Sequence, residues 1–194
     1  MTTWQSPQGD LQIKAISLLG WCIAIIRIVP LFIVLFGGLL ILLLLRIFEK
    51  PLFGHKRPIT SLLTQAVCKI SLRIMGIKYQ IVGRPMTKNG AVVANHSSWL
   101  DIFTLNAAQC VYFVSKSEVA AWPGIGWLAR AAGTVFIKRD RLQAKLQSNV
   151  LSSRFQMGHK LLFFPEGTST DGQQVLPFKS TLFAALFEQS LKNI

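Results

Sequence analysis

The chain has 194 residues, of which 51% are hydrophobic, and it carries 21 Lys and Arg against 8 Asp and Glu, a formal net charge of +13. This length fits one domain, and the abundance of apolar residues excludes a disordered chain. A soluble nucleic-acid-binding protein is rarely this hydrophobic, and a multi-span transporter is rarely this basic. We therefore expect a protein held at an anionic membrane surface. The three cysteines are too widely spaced to predict a zinc site or a disulfide framework.

The first element predicted in chain order is a membrane anchor. Residues 28–45 are 18 uncharged residues in succession, which is near the lower limit for a membrane span. Another uncharged stretch, 15–26, precedes them. Two arrangements fit this pattern: a single tilted span from about residue 22 to 45, or a pair of helices that enter one leaflet and return. We predict an N-terminal membrane-embedded helical anchor over residues 1–48 and a second domain over 49–194.

Basic residues cluster directly after this anchor. Before residue 46 the charged residues are Lys14, Arg27 and Asp10, whereas residues 46–78 contain seven Lys and Arg and a single acid, Glu49. By the positive-inside rule, the second domain is expected on the cytoplasmic face of the membrane. Its positive charge would then face an anionic leaflet, where each basic side chain contributes about 1 kcal/mol of attraction.

Hydrophobic spacing and turn residues predict that helices and strands alternate through the rest of the chain. Strands that alternate with helices predict an α/β sheet covered by helices. The predicted strands are 77–82, 91–94, 111–114, 134–138 and 160–164, and the predicted helices are 60–76, 102–108, 120–132, 143–155 and 181–191.

A first polar cluster, the heptapeptide NHSSWLD at 95–101, follows the predicted strand over 91–94. Polar groups at the carboxyl end of a buried strand are a frequent site location in α/β folds. His96 and Asp101 are five positions apart, about 140° around a regular helix, so they pair only if His96 lies in the turn before a helix and Asp101 in its first turns. A carboxylate on one imidazole nitrogen raises the basicity of the other, so this pair predicts a general base.

Two further polar clusters follow predicted strands. The segment FFPEGTS at 163–169 ends one strand, and GTVFIKR at 133–139 delivers Lys138 and Arg139 to the end of another. Arg binds phosphate as a bidentate fork and Lys as a point charge. Three polar clusters at strand ends, one with a base and one with adjacent cations, predict a site for an anionic substrate.

These three segments resemble the blocks of the glycerolipid (lysophospholipid) acyltransferase family. NHSSWLD is similar to the first block, with His96 and Asp101 as its HxxxxD pair, and GTVFIKR and FPEGTS are similar to the second and third. Order and spacing agree from about residue 75 to 185. A single HxxxxD pattern is a weak signal, whereas three blocks in the right order are highly specific.

The resemblance implies an acyltransferase-type mixed α/β sheet, covered by helices, behind a membrane-embedded helical element. It implies acyl transfer from acyl-CoA or acyl carrier protein to the hydroxyl of a lysophospholipid, with no metal and no bound cofactor. His96 would take the hydroxyl proton while Asp101 orients the imidazole. The implied substrate-binding residues are Lys138 and Arg139, for a phosphate, and Phe164, Pro165, Glu166, Gly167 and Thr168 around the acceptor head group.

The sequence departs from the family pattern at two places that concern the acceptor. Many phosphatidate-forming members have Arg directly after FPEGT, where this chain has Ser169, and FKSTLF at 178–183 replaces the commoner FKxGAF. This variant and the anchor resemble the branch that O-acylates lyso-ornithine lipid, a phosphate-free aminolipid. Two acceptors stay open: 1-acylglycerol-3-phosphate, giving phosphatidate, which we put first, and lyso-ornithine lipid.

Two further expectations complete the sequence analysis. The family's fourth block is expected after the last predicted helix, so the domain over 49–194 is expected to be truncated at its C-terminal end. A non-enzymatic alternative is a membrane-tethered binding module that uses its basic face for anionic lipid or nucleic acid, although no nucleic-acid-reading motif is present. His159, just before the strand into FPEG, is expected to be a structural histidine rather than a member of the site.

Overall fold

The computed structural model describes residues 15–138 and 144–179. Within these ranges, five α-helices and four strands follow one another, with a short 3₁₀ helix, Ser117–Ala121, after the second strand. The helices are α1 (Leu18–Phe53), α2 (Thr60–Met75), α3 (Asp101–Ala108), α4 (Ile125–Ala132) and α5 (Ala144–Gln156). The strands are β1 (Gly90–Val93), β2 (Tyr112–Lys116), β3 (Val135–Ile137) and β4 (Lys160–Phe163).

Helix α1 is one uninterrupted helix of 36 residues, about 54 Å long at 1.5 Å per residue. The Ser17 hydroxyl accepts a hydrogen bond from the Gly20 N–H and caps its first turn. Pro30 and Pro51 lie inside the helix without ending it. By length and composition α1 is able to cross a membrane, and the structure shows a single helix where the sequence left a helix pair open.

Helix α2 packs antiparallel against α1, and charged side chains of α1 hold both of its ends. At its start, Glu49 accepts hydrogen bonds from the backbone N–H groups of Ile59 and Thr60, at 2.8 and 3.0 Å. At its end, Arg27 donates to the Met75 carbonyl at 2.9 Å. A carboxylate at a helix N-terminus and a cation at its C-terminus both oppose the helix dipole, so this arrangement stabilises α2.

The sheet has the strand order β1-β4-β2-β3, and all pairings among the described strands are parallel. Its centre is β4, whose residues Leu161, Leu162 and Phe163 are almost completely buried. The predicted α/β sheet is thus confirmed. Because the strands are parallel, all of their carboxyl ends meet at one edge of the sheet, where the three predicted polar clusters lie.

Two predicted elements differ in the structure, and one lies outside the described residues. Residues 77–82 form no strand: they pair with no neighbour among the described strands, and Val82 is 89% exposed. The predicted helix over 120–132 is divided into the 3₁₀ helix and α4, because Pro123 lacks an N–H and Gly124 has a φ of +70°. The predicted helix over 181–191 lies outside the described residues.

Candidate active site

The candidate active site is built around the turn that connects β1 to α3. Asp101 is the first residue of α3, and His96 lies in the turn before it. The His96 Nδ1 and the Asp101 Oδ2 are 2.7 Å apart. The two side chains therefore pair in the turn-then-helix arrangement that the sequence predicted. With Nδ1 bound to the carboxylate, Nε2 is the nitrogen that remains for a substrate proton.

The Asp101 carboxylate is itself fixed by the backbone of the turn. Its Oδ2 accepts hydrogen bonds from the N–H groups of Ser97 and Ser98, at 2.8 and 3.0 Å. These charge-assisted bonds hold the carboxylate in place. A fixed anion on Nδ1 stabilises the imidazolium that forms when Nε2 takes a proton, as a general base requires.

Phe164 packs against one face of the His96 imidazole ring. The rings of His96 and Phe164 stack with centroids 4.1 Å apart and an interplanar angle of 18°. Phe164 in turn stacks on Phe113 of β2, at 5.9 Å. This aromatic column restricts rotation of the imidazole. The resemblance implied substrate binding for Phe164, and the structure shows its contact with the catalytic candidate.

Glu166 is buried beneath the turn, with 2% of its surface exposed. One carboxylate oxygen accepts a hydrogen bond from the His96 N–H at 3.1 Å, and the other accepts one from the Leu176 N–H at 3.0 Å. The Thr170 N–H donates to the His96 carbonyl at 2.8 Å. The segment after β4 thus holds the His96 backbone on both sides, and both Glu166 oxygens contact backbone rather than face an open cleft.

The rest of the FPEGT segment forms a tight turn beside His96. The Gly167 N–H donates to the Phe164 carbonyl at 3.1 Å, and the φ of Gly167 is +70°, a conformation that favours glycine. Pro165 is buried, and its carbonyl accepts a hydrogen bond from the Lys179 N–H at 2.9 Å. Thr168 is half-buried. A contact between Thr168 and the substrate stays a prediction of the resemblance.

The predicted cation Lys138 lies at the same edge of the sheet but farther along it. Lys138 follows β3 and is exposed, whereas Arg139 lies outside the described residues. Two strands separate β3 from β1, so the three interstrand steps of about 4.8 Å place the ends of β1 and β3 about 14 Å apart. A substrate whose hydroxyl lies at His96 must extend along this edge to reach Lys138.

The comparisons with known proteins agree with this geometry. The family model described as Acyltransferase matches residues 78–191, which is more than half of the chain. The chain belongs to the acyltransferase family. This finding favours an enzyme over the membrane-tethered binding module.

Relatives of this acyltransferase include proteins named for both predicted acceptors. It is 59% identical over 162 residues to the lyso-ornithine lipid O-acyltransferase of Rhodobacter capsulatus, covering 84% of this chain and 59% of that relative. It is 39% identical over 115 residues to the 1-acyl-sn-glycerol-3-phosphate acyltransferase of Neisseria gonorrhoeae, covering 57% and 45% of the two chains. The chain therefore spans only about half the length of these relatives.

A solved structure supports the fold of the acyltransferase. The crystal structure of the 1-acyl-sn-glycerophosphate acyltransferase PlsC from Thermotoga maritima has a TM-score of 0.56 and 21% sequence identity. The match covers 84% of this chain and 71% of the other. The predicted acyltransferase-type α/β fold is thus confirmed.

His159 lies at the opposite edge of the sheet of this acyltransferase. It directly precedes β4, stacks on Tyr112 with ring centroids 4.1 Å apart, and is buried. The four residues of β4 lie between it and Phe164, so five steps of 3.3 Å place the two residues about 17 Å apart. His159 is therefore not part of the His96 site, in agreement with its predicted structural role.

The backbone contacts of Thr170 and Leu176 are the parts of the site that sequence reasoning missed. Both residues act through their N–H groups, which every residue except proline carries, so no residue type in the sequence signals them. The buried position of Glu166 was missed for a related reason. From the sequence alone, a carboxylate after a strand is equally consistent with a substrate contact and with a buried structural role. Only the packing of the turn against β4 distinguishes these two roles.

Replacing Glu166 by Gln is expected to destabilise the protein by about 1–3 kcal/mol. Each Glu166 oxygen accepts from one backbone N–H, so in the variant one of these two N–H groups would face the amide nitrogen and lose its acceptor. The thermal unfolding midpoint should fall by about 2–4 °C per kcal/mol, and acyl transfer should fall with it as the His96 backbone shifts. Differential scanning measurements in detergent and an activity assay test this. The exposed Glu118→Gln control should change neither quantity, and wild-type values for Glu166→Gln would show that the turn does not depend on this carboxylate.

Proposed function

We propose that this protein transfers a fatty acyl group from acyl-CoA or acyl carrier protein to the free hydroxyl of a lysolipid, and that the acceptor is lyso-ornithine lipid. The observation that carries the reaction type is the His96–Asp101 pair at 2.7 Å in a member of the acyltransferase family. What supports the acceptor is the 59% identity to the Rhodobacter relative of that name.

In the proposed mechanism, His96 Nε2 removes the proton of the acceptor hydroxyl as its oxygen attacks the thioester carbonyl carbon. A tetrahedral intermediate forms and then collapses, the C–S bond breaks, and the thiol leaves with the proton returned by the imidazolium. Asp101 stays ionised and stabilises the imidazolium between the two steps. Backbone N–H groups of the FPEGT turn are the proposed donors to the oxyanion.

The residue after FPEGT is the structural reason to place lyso-ornithine lipid first. Ser169 is exposed at the turn that follows Glu166, so the position offers a hydroxyl where many phosphatidate-forming members have a guanidinium. A phosphate monoester acceptor would lose a bidentate cation here, whereas a phosphate-free aminolipid would not need one. Lys138, about 14 Å along the sheet edge, is then proposed to contact the phosphates of the acyl donor.

The second candidate acceptor is 1-acylglycerol-3-phosphate, with phosphatidate as product. Its support is the 39% identity to the Neisseria relative named for that reaction, together with Lys138 and Arg139 at the end of one strand segment. Both acceptors present a hydroxyl to the same base, so the two proposals share His96 and Asp101 and differ only in the head group.

The proposed location is the membrane, with the catalytic domain on its cytoplasmic face and membrane lipid as a partner. Helix α1 supports the proposed membrane location. The cluster of basic residues from Arg46 onward supports the proposed cytoplasmic orientation. Both substrates then meet the site at the lipid surface, since the acceptor is itself a membrane lipid.

A competition between the two acceptors tests the proposal. Membranes that contain the protein are supplied with labelled acyl-CoA or acyl carrier protein and equal amounts of lyso-ornithine lipid and lysophosphatidate. We expect ornithine lipid to form at least about ten times faster, a difference of about 1.4 kcal/mol in transition-state binding. Mass spectrometry of the lipids measures both products, and membranes with the His96→Ala variant give the baseline. Faster formation of phosphatidate would overturn the proposed acceptor.

A further inference from the structure

A cavity of about 570 Å³ lies at the sheet edge opposite the active site. Here the amino ends of β2 and β4 meet the segment that connects α1 to α2. Phe53, Tyr112 and Met157 supply apolar wall, while Arg57 and His159 supply polar groups. The length of β4 separates this cavity from the His96 site, so it is not part of the acyl-transfer chemistry.

Arg57 is half-buried in the wall of the cavity. One of its terminal nitrogens donates to the Ala131 carbonyl near the C-terminus of α4, whereas its Nε is buried and has no hydrogen-bond partner in the parts of the chain that the structure describes. Burial and the neighbouring Arg46 lower the pKa of this guanidinium. A cation held this way is stabilised by any anion that accepts its remaining N–H.

His159 brings a second buried donor to the same wall. Arg154 donates to its Nδ1 at 3.3 Å, so the ring proton lies on Nε2. Burial first, and then Arg154 and Arg57, lower the pKa of His159 to about 4, with the His55 carbonyl opposing this slightly. The neutral ring therefore presents a buried Nε2–H, for which the described residues supply no hydrogen-bond acceptor beyond this weak interaction with the His55 carbonyl.

Within residues 15–138 and 144–179, carboxylates do not balance the positive charge around this cavity. The pKa of His55 is lowered by burial and then by four cations, the side chains of Arg154, Arg46, Lys50 and Arg57. Glu49 is the carboxylate that reaches Arg57 electrostatically, and hydrogen bonds to the start of α2 and to Arg46 already use both of its oxygens. The buried N–H donors of Arg57 and His159 and the excess of cations both favour the binding of an anion.

Large apolar side chains lie exposed beside the same cations. Phe48, Leu52 and Leu62 are 72%, 74% and 60% exposed, and they flank the end of the helix that is long enough to cross a membrane. Exposed apolar residues next to Lys and Arg are typical of surfaces that sit at the boundary between lipid chains and head groups. A soluble anion would use the cations alone, whereas a lipid would use both features.

We propose that the cavity lined by Phe53, Arg57 and His159 binds the phosphodiester head group of an anionic membrane phospholipid, at a site separate from the active site. The phosphate oxygens accept from Arg57 and His159, Lys56 contributes charge at the rim, and the acyl chains lie along the exposed apolar end of α1. Such a lipid would hold the domain against the membrane at a fixed orientation. This inference depends on the membrane location of α1 and not on the acceptor of the reaction.

Calorimetric titration of the purified full chain in an uncharged detergent, without acyl donor, tests the site. The ligands are short-chain phosphatidylglycerol, short-chain phosphatidylcholine and inorganic phosphate. We expect phosphatidylglycerol to bind at least about tenfold more tightly than either of the others. Equal binding of the two lipids would overturn the requirement for an anion. If inorganic phosphate binds as tightly as phosphatidylglycerol, the site binds a free phosphate, and the proposal of a lipid ligand would be overturned.

Two substitutions locate the binding. Arg57→Gln and Lys56→Glu are each expected to weaken phosphatidylglycerol binding by about tenfold or more, and Lys56 is exposed, so its variant decides the question if Arg57→Gln fails to fold. The matched control is Lys78→Glu, an exposed lysine beyond the far end of α2, whose 16 residues span about 24 Å. Equal effects of Lys56→Glu and Lys78→Glu would show that binding follows overall charge and would overturn the site. Binding that survives in the His96→Ala variant would separate this site from acyl transfer, and loss of binding there would overturn their independence.

Discussion

Replacing His96 by Ala is expected to lower the rate of acyl transfer by about 10²–10⁴-fold, the usual contribution of a positioned general base. Without the imidazole, the acceptor hydroxyl has no positioned base and must lose its proton to water. The measurement is kcat/KM for labelled acyl-CoA with saturating lysolipid, in membranes with matched amounts of protein.

The structure indicates that this variant keeps its fold. Glu166 and Thr170 hold residue 96 through its backbone N–H and carbonyl, and alanine retains both groups. The lost contacts are the stack on Phe164 and the hydrogen bond between His96 Nδ1 and Asp101 Oδ2. The Asp101 carboxylate still accepts from the Ser97 and Ser98 N–H groups, so it keeps hydrogen-bond partners in the variant. If the unfolding midpoint is unchanged while the rate of acyl transfer falls, the loss of activity is due to the missing base and not to unfolding. A rate within tenfold of wild type would contradict the assignment of His96 as the base.

Asp101→Asn is expected to lower kcat by a similar factor, about 10²–10⁴-fold, because a neutral amide no longer stabilises the imidazolium that forms during the reaction. The Oδ2 atom that contacts His96 Nδ1 is also the atom that accepts from Ser97 and Ser98. An Asn amide oxygen in this position keeps all three contacts, so the variant removes the negative charge and leaves the geometry in place. The change should appear in kcat, with KM for the acceptor altered far less.

Asp171→Asn is the matched control for this second prediction. Asp171 also accepts a backbone hydrogen bond through its side chain, from the Gln173 N–H at 3.0 Å, and an amide oxygen can replace it there. The same chemical change should therefore leave kcat within about twofold, since surface substitutions cost little stability. Parallel losses in Asp101→Asn and Asp171→Asn would mean that the charge of this region, rather than the His96–Asp101 pair, supports the reaction.

Elements with a strong local pattern were predictable, and elements that depend on a partner were not. β4 was predicted from a short apolar run between polar residues, and α2 from helical spacing ended by Gly76, which adopts a φ of +76°. Residues 77–82 alternate as a strand does, yet they pair with no described strand and stay exposed. Alternation favours a strand only where a neighbouring strand supplies the hydrogen bonds.

The sequence alone determined the basic, membrane-directed character of this acyltransferase and the pair at its candidate site. His96 and Asp101 are five residues apart, so one turn and the first residue of one helix are enough to bring them together. The resemblance of three blocks then identified the family. These are local properties, and local sequence determines them.

Only the tertiary structure decided what surrounds that pair. Glu166 reaches the His96 N–H across 70 positions in the chain, because β4 lies beside β1 in the sheet although β2 and β3 intervene in the sequence. Arg57 reaches α4 across 74 positions in the same way and helps to form the cationic cavity at the opposite edge. Strand order follows from packing the whole chain around one core, and no local pattern of residues encodes it.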